Sequence, residues 1–173
     1  MSKLELVISR QRIAAKVTHL ARRISQDYAG QELVLIGVLN GVFIFISDLA
    51  RKLTIPTRVD FIRLASYGSE SASSGRIEMT KDVETDLEGR AVLIVEDIVD
   101  SGLTLHWLKN HLAERGAISV KTCVLINKLE RRTLPVELDY VGFEVEKGFL
   151  VGYGLDYDGQ HRCLPEVYHL VLT

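Results

Sequence analysis

Glu96, Asp97, Asp100, Ser101, Gly102 and Thr104 carry the densest chemistry in this chain, and they follow four consecutive apolar residues, 92–95. Such a run reads as a fully buried parallel strand reaching its carboxyl edge. Leu105, Trp107, Leu108 and Leu112 then recur at helical spacing. A strand, polar turn and helix in this order gather backbone N–H groups and a helix N-terminus around one point, with Gly102 permitting close approach and the hydroxyls of Ser101 and Thr104 adding donors. That is a cradle for phosphate. Carboxylates beside it repel phosphate unless a divalent cation or sugar hydroxyls stand between, so the pattern suits a ligand that carries phosphate, ribose and Mg2+ together. The plain alternative makes Asp100 or Ser101 a helix cap and Glu96 and Asp97 solvated strand-end charges. It leaves three acids within five residues without a purpose.

The run 92–105, V-L-I-V-E-D-I-V-D-S-G-L-T-L, resembles the 5-phosphoribosyl-1-pyrophosphate (PRPP) signature of type I phosphoribosyltransferases. The form E-D-I-V-D-S-G-L-T is similar to the hypoxanthine-guanine branch of that family. The resemblance implies that Asp100, Ser101, Gly102, Leu103 and Thr104 hold the 5-phosphate. It also implies that Glu96 and Asp97 meet the ribose hydroxyls, directly or through Mg2+, and that Asp100 is the general base for the purine N7 proton.

The resemblance spans roughly residues 33–162. Leu39-Asn40-Gly41 matches a pyrophosphate-binding loop with a non-proline cis peptide at Leu39-Asn40. Asn40 stands where a basic residue is often found, which leaves the backbone of Asn40 and Gly41 to make the contacts. Lys128 matches a lysine that meets the exocyclic oxygen of a 6-oxopurine; an ammonium has only donors and would face donor against donor with the amino group of adenine. The stretch 147–162, K-G-F-L-V-G-Y-G-L-D-Y-D-G-Q-H-R, resembles the purine-binding end. There Phe149 stacks on the base, Leu150 offers backbone groups to its edge, Asp156 reaches the metal-bound pyrophosphate and Arg162 the pyrophosphate itself. Ser66 and Tyr67 match the Ser-Tyr pair of the family's catalytic hood. Without the resemblance, Lys128 reads as a solvated strand end, Phe149 as a core aromatic, Asp156 as an Asx turn and residues 39–41 as an ordinary strand-helix turn.

The elements that must position these groups are legible in order. Ser9 caps a helix with an apolar stripe of Ile13, Val17, Leu20, Ala21 and Ile24, ending before Gly30. A buried strand at 33–39 breaks at Asn40-Gly41 and leads into a helix from 42 to about 52. Residues 42–46 are all apolar, more than one sheet can cover, so a partner subunit is expected on the other side. A strand at 57–66 precedes the Gly- and Ser-rich run 67–76, read as part of a mobile lid at about 66–81 because long structureless loops in compact domains are usually functional. Strands at 77–80, 119–126 and 140–144 complete the set, with a charged turn at 81–90. The fold class is α/β: one domain over 1–173 with an open, mostly parallel sheet, helices on both faces and the ligand at the carboxyl edge.

The chain's 173 residues, 47% hydrophobic and 25% charged, suit one domain with a sizeable core. A net charge of -2 gives no electrostatic reason for a nucleic-acid surface. No secretory leader or run of eighteen apolar residues appears, so a cytoplasmic protein without membrane contact is expected. Cys123 and Cys163 are too isolated for a disulfide framework or a zinc site, and none of His19, His106, His111, His161 and His169 has ligand spacing. The resulting expectation is a purine-salvage phosphoribosyltransferase using PRPP, a 6-oxopurine (hypoxanthine, with guanine) and Mg2+, as a homo-dimer or homo-tetramer. Rival readings are a pyrimidine-operon RNA-binding regulator on the same fold, a phosphoryl-receiver domain, and a dinucleotide-binding Rossmann domain, though no G-x-G-x-x-G opens a helix.

Overall fold

The apolar run that precedes Glu96 lies at the heart of a six-stranded sheet, in a computed structural model that describes residues 2–66 and 77–172. The strands are β2 (Leu33–Leu39), β3 (Thr57–Ser66), β4 (Ile77–Lys81), β5 (Ala91–Val99), β6 (Ser119–Lys128) and β7 (Tyr140–Val145), in the spatial order β4-β3-β2-β5-β6-β7. All neighbours are parallel except β4, which runs antiparallel to β3. Three helices cover the sheet: α1 (Arg10–Asp27), α2 (Phe43–Ala50) and α3 (Leu103–Glu114).

A strand buried on both faces carries apolar residues at successive positions rather than alternate ones, and β5 does so, with Val92 to Val95 wholly buried. Leu93 and Val95 pack with Leu33, Leu35, Cys123 and Leu125 against the α1 and α2 side. Val92 and Ile94 pack with Val34, Ile36 and Val124 against Leu105, Leu108 and Leu112 of α3. Each such side chain contributes about 1.5–3 kcal/mol on burial. The helices therefore lie on both faces, as expected. The Ser9 hydroxyl accepts from the Arg12 amide at the start of α1, and the five residues of the expected stripe are all buried.

Several boundaries differ from the sequence reading. The strand of the acidic motif extends to Val99, so Glu96 and Asp97 lie within it rather than just past its end. The strand read as 119–126 runs to Lys128, and the helix read as 42–52 is shortened to 43–50. A second, antiparallel sheet was not anticipated: β1 (Ser2–Ile8), β9 (Val167–Leu172) and β8 (Leu150–Val151), in the order β1-β9-β8. Of the lid expected at about 66–81, residues 67–76, with Tyr67, lie outside the described residues, as does the side chain of Ser66, and residues 77–81 are strand β4 rather than loop. No helix among the described residues is long and apolar enough to cross a membrane.

The turn that feeds β5 is fastened by one carboxylate. Asp60 on β3 accepts from the amides of Phe61, Glu84 and Thr85 at 2.7–2.8 Å, with the Lys81 ammonium 3.6 Å away. Burial opposes the charge, but the amides of Thr85, Phe61 and Glu84 outweigh it and hold the carboxyl below its ordinary value of 3.8. Replacing Asp60 with Ala strands those amides and lowers unfolding free energy at neutral pH by about 1–3 kcal/mol. A depressed carboxyl stabilises above its unfolded pKa and loses that contribution as pH falls. Urea titrations should therefore show the gap between wild type and variant closing below pH 3.8; a gap that persists there contradicts the account.

Candidate functional site

Three strands end at one edge, and the chemistry sits where they end. β2 closes with the cis peptide Leu39-Asn40, β5 with Asp100 to Gly102, and β6 with Asn127 and Lys128. Gly41 follows the cis peptide, packed so closely on the Asp97 carboxylate that a Cβ there would force that carboxylate to move. The Gly41 carbonyl in turn packs under Gly154, where a Cβ would come within 1.9 Å of it. Gly102, at φ +87°, turns the chain into α3 in a conformation L side chains rarely adopt. Neither Asp100 nor Ser101 caps that helix, which has no side-chain cap; the Ser101 hydroxyl takes only the Leu103 amide, at 3.3 Å. The remaining first-turn amides meet no side-chain acceptor among the described residues and form the positive end of the helix.

Two adjoining cavities open at this edge. The larger, about 340 Å³, is lined by Asn40, Gly41, Asp97, Ile98, Asp100, Lys128, Phe149, Leu150, Leu155, Asp156 and Arg162. The smaller, about 220 Å³, brings in Glu96 and Thr104 and shares Asn40, Gly41, Asp97 and Ile98. Of the residues singled out from sequence, Ser101, Gly102 and Leu103 line neither; they form the turn beyond Asp100.

The electrostatics are uneven. Glu96 is buried, with Oε2 lacking a hydrogen-bond partner among the described residues, and burial, then the charge of Asp97, push its carboxyl up to about 8. Burial raises Asp97 to about 6 against the opposing amides of Ile98 and Asp97 and the charge of Arg162. No group of three or more His, Cys, Asp or Glu among the described residues could hold a metal alone. A small hard cation binds through one or two carboxylates and takes its remaining ligands from water and substrate phosphates. The orphaned Glu96 oxygen beside Asp97 fits that role.

On the far wall, Lys128 is buried, its ammonium 3.1 Å from Glu130 and 3.7 Å from Asp100 Oδ2. Asp100 Oδ1 is buried without a hydrogen-bond partner among the described residues. Phe149 is 49% exposed and meets the Tyr157 ring edge-on at 5.4 Å, so it is no core aromatic. Leu150 lies in β8, paired with His169. Asp156 Oδ2 accepts from the Gly159 amide, three residues on, at 2.9 Å, while Oδ1 pairs with Arg162 at 2.8 Å. Arg162 also donates to the Gly154 carbonyl.

Arg132 and Glu130 escaped the sequence reading. The Arg132 guanidinium donates to the carbonyls of Asp100, Val99 and Lys128 and to the Asn127 side chain. The amides of Thr133 and Leu134 donate to the Ser101 carbonyl. This segment ties the ends of β5 and β6 together. The available signal was the E-R-R run directly after a strand end on the functional edge.

A family model described as "Phosphoribosyl transferase domain" matches residues 7–158. The chain is 44% identical over 168 residues to the hypoxanthine-guanine phosphoribosyltransferase of Mycobacterium avium, covering 94% of this chain and 83% of the relative. It is 41% identical over 170 residues to the hypoxanthine phosphoribosyltransferase of Salmonella typhimurium, covering 97% and 96%. A crystal structure of a hypoxanthine-guanine phosphoribosyltransferase from Bacillus anthracis superposes with a TM-score of 0.92 at 40% identity, over 96% of this chain and 98% of that one.

The raised Glu96 carboxyl has a measurable sign. An acid whose folded pKa is elevated favours the fold below its unfolded pKa, 4.5, and loses that advantage as pH rises toward about 8. In the ligand-free protein, Glu96→Gln should match wild type in stability below pH 4.5 and exceed it above pH 8, by on the order of 1–4 kcal/mol. Parallel stability curves for the two proteins would show that Glu96 is not held neutral.

Proposed function

The chain belongs to the phosphoribosyl transferase family, and we propose that it transfers the 5-phosphoribosyl group of PRPP to hypoxanthine and guanine, giving IMP and GMP and releasing pyrophosphate. One observation carries the choice of base. Lys128 and Asp100 present an ammonium and a carboxylate 3.7 Å apart beside the exposed ring of Phe149. A 6-oxopurine has its oxygen and N7 next to each other on one edge. The lysine donates to the oxygen, the carboxylate accepts the N7 proton, and Phe149 lies against the ring. The names of the relatives, at 41–44% identity over nearly the whole chain, support the same reading.

Asp100 to Thr104 hold the 5-phosphate at the open end of α3, while Glu96 and Asp97 take the ribose hydroxyls. Asn40, Gly41 and Arg162 receive the pyrophosphate, the arginine as a planar fork matched to paired oxygens, and Leu150 offers backbone groups to the purine edge. Glu96, Asp97 and Asp156 are the residues that would hold Mg2+ together with PRPP. When bound, that ion neutralises charge on the leaving pyrophosphate. The anomeric carbon passes through an oxocarbenium-like state as its bond to pyrophosphate breaks and its bond to the purine nitrogen forms, and Asp100 removes the N7 proton. In this reading the chain also self-associates, because Phe43 remains 42% exposed at the start of α2.

Incubating the protein with PRPP and Mg2+ and, in parallel, hypoxanthine, guanine, xanthine and adenine should yield IMP and GMP and no AMP; nucleotide from adenine alone would overturn the assignment. Asp100→Asn should bind PRPP nearly as wild type while turnover falls by about 10²–10⁴. An Asn variant of full activity would remove Asp100 from the role of base.

A further inference from the structure

Glu130 lies outside the assigned binding groups, yet it touches both halves of the purine wall. Its Oε2 is 3.1 Å from the Lys128 ammonium and accepts from the Gly148 amide at 3.2 Å. Gly148 immediately precedes Phe149 and is held at φ +101°, so one carboxylate oxygen links the base-reading lysine to the loop that carries the stacking ring. Lys128 is buried, and its other carboxylate neighbour is Asp100, at 3.7 Å.

We propose that Glu130 is a positioning residue for purine recognition, holding the Lys128 ammonium between itself and Asp100 and fixing it to the loop before Phe149. The inference rests on the transferase reading given above. The physical argument is one of competition. An ammonium with three donors and two carboxylates near it sits between them and keeps a donor for the purine oxygen. Without Glu130, Asp100 becomes its sole carboxylate partner, and the lysine is drawn toward the general base and away from the Phe149 loop. The Lys128 contact, then the Gly148 amide, hold the Glu130 carboxyl below its ordinary value, so it is charged wherever the enzyme works. The side chain is 43% exposed, which lets it be replaced without opening the core.

The experiment is steady-state kinetics with hypoxanthine and PRPP on wild type and on Glu130→Ala, Glu130→Gln and Glu130→Asp. Gln keeps an acceptor for the Gly148 amide but loses the charge that holds the ammonium; Asp keeps the charge. Ala and Gln should each raise the KM for hypoxanthine about tenfold, leave the KM for PRPP within about twofold, and be rescued at least in part by Asp. If Gln matches wild type, Glu130 merely anchors the loop and the proposal is overturned. It is equally overturned if Ala changes nothing or if the KM values for PRPP and hypoxanthine rise together. Wild-type protein that makes no IMP overturns the transferase reading, and the inference with it, whereas an active wild type with unresponsive Glu130 variants overturns the inference alone.

Discussion

Placing Glu96 and Asp97 side by side in a strand whose four preceding residues are wholly buried sets an electrostatic constraint to which the rest of the site answers. Two neighbouring carboxylates in a dry environment cannot both stay charged cheaply. The surroundings do little to help: Glu96 Oε2 has no partner among the described residues, and Asp97 draws on the Ile98 amide and the charge of Arg162. What the protein supplies is room on one side and tight backbone on the other, with Gly41 pressed against Asp97 and Gly154 pressed against Gly41. The ligand proposed here, bearing hydroxyls and a cation, would complete the coordination that the fold leaves open.

The same edge needs its two strand ends kept in register with each other. Asp100 and Lys128 come from β5 and β6, and their 3.7 Å separation is meaningful only if those ends do not slide. Arg132 secures this by donating to carbonyls on both, and the amides of Thr133 and Leu134 grip Ser101 from beneath the phosphate turn. A guanidinium suits such a task because its donors are fixed in one plane. The turn after β5 and the end of β6 are thereby parts of one frame.

Much of this could be read along the chain because the signals are local. The bounds of β2 and β3 follow from apolar runs closed by Asn-Gly and by a Gly-Ser stretch, and the stripe of α1 follows from helical spacing. Strand ends were harder: Glu96, Asp97, Asn127 and Lys128 look like the close of a strand because they are polar, yet parallel pairing carries the ladder through them. The antiparallel sheet escaped because β1 finds its partner at the opposite end of the sequence, where Leu4 pairs with Leu170, and alternation over seven residues does not say with what a strand pairs. Glu130 and Arg132 escaped for a related reason. A charged residue after a strand reads as solvated until the fold shows which carbonyls and ammonium it meets.

That small sheet has a consequence for how the protein is made. Leu150, next to Phe149, is held in β8 by pairing with His169 of β9, and β9 pairs in turn with β1. On the ribosome, where the N-terminal part folds first, every strand of the large sheet is available before residues 167–172 emerge. β1 must wait for β9 with its edge unpaired, and the segment that carries Phe149 gains its support only once residues 167–172 have emerged.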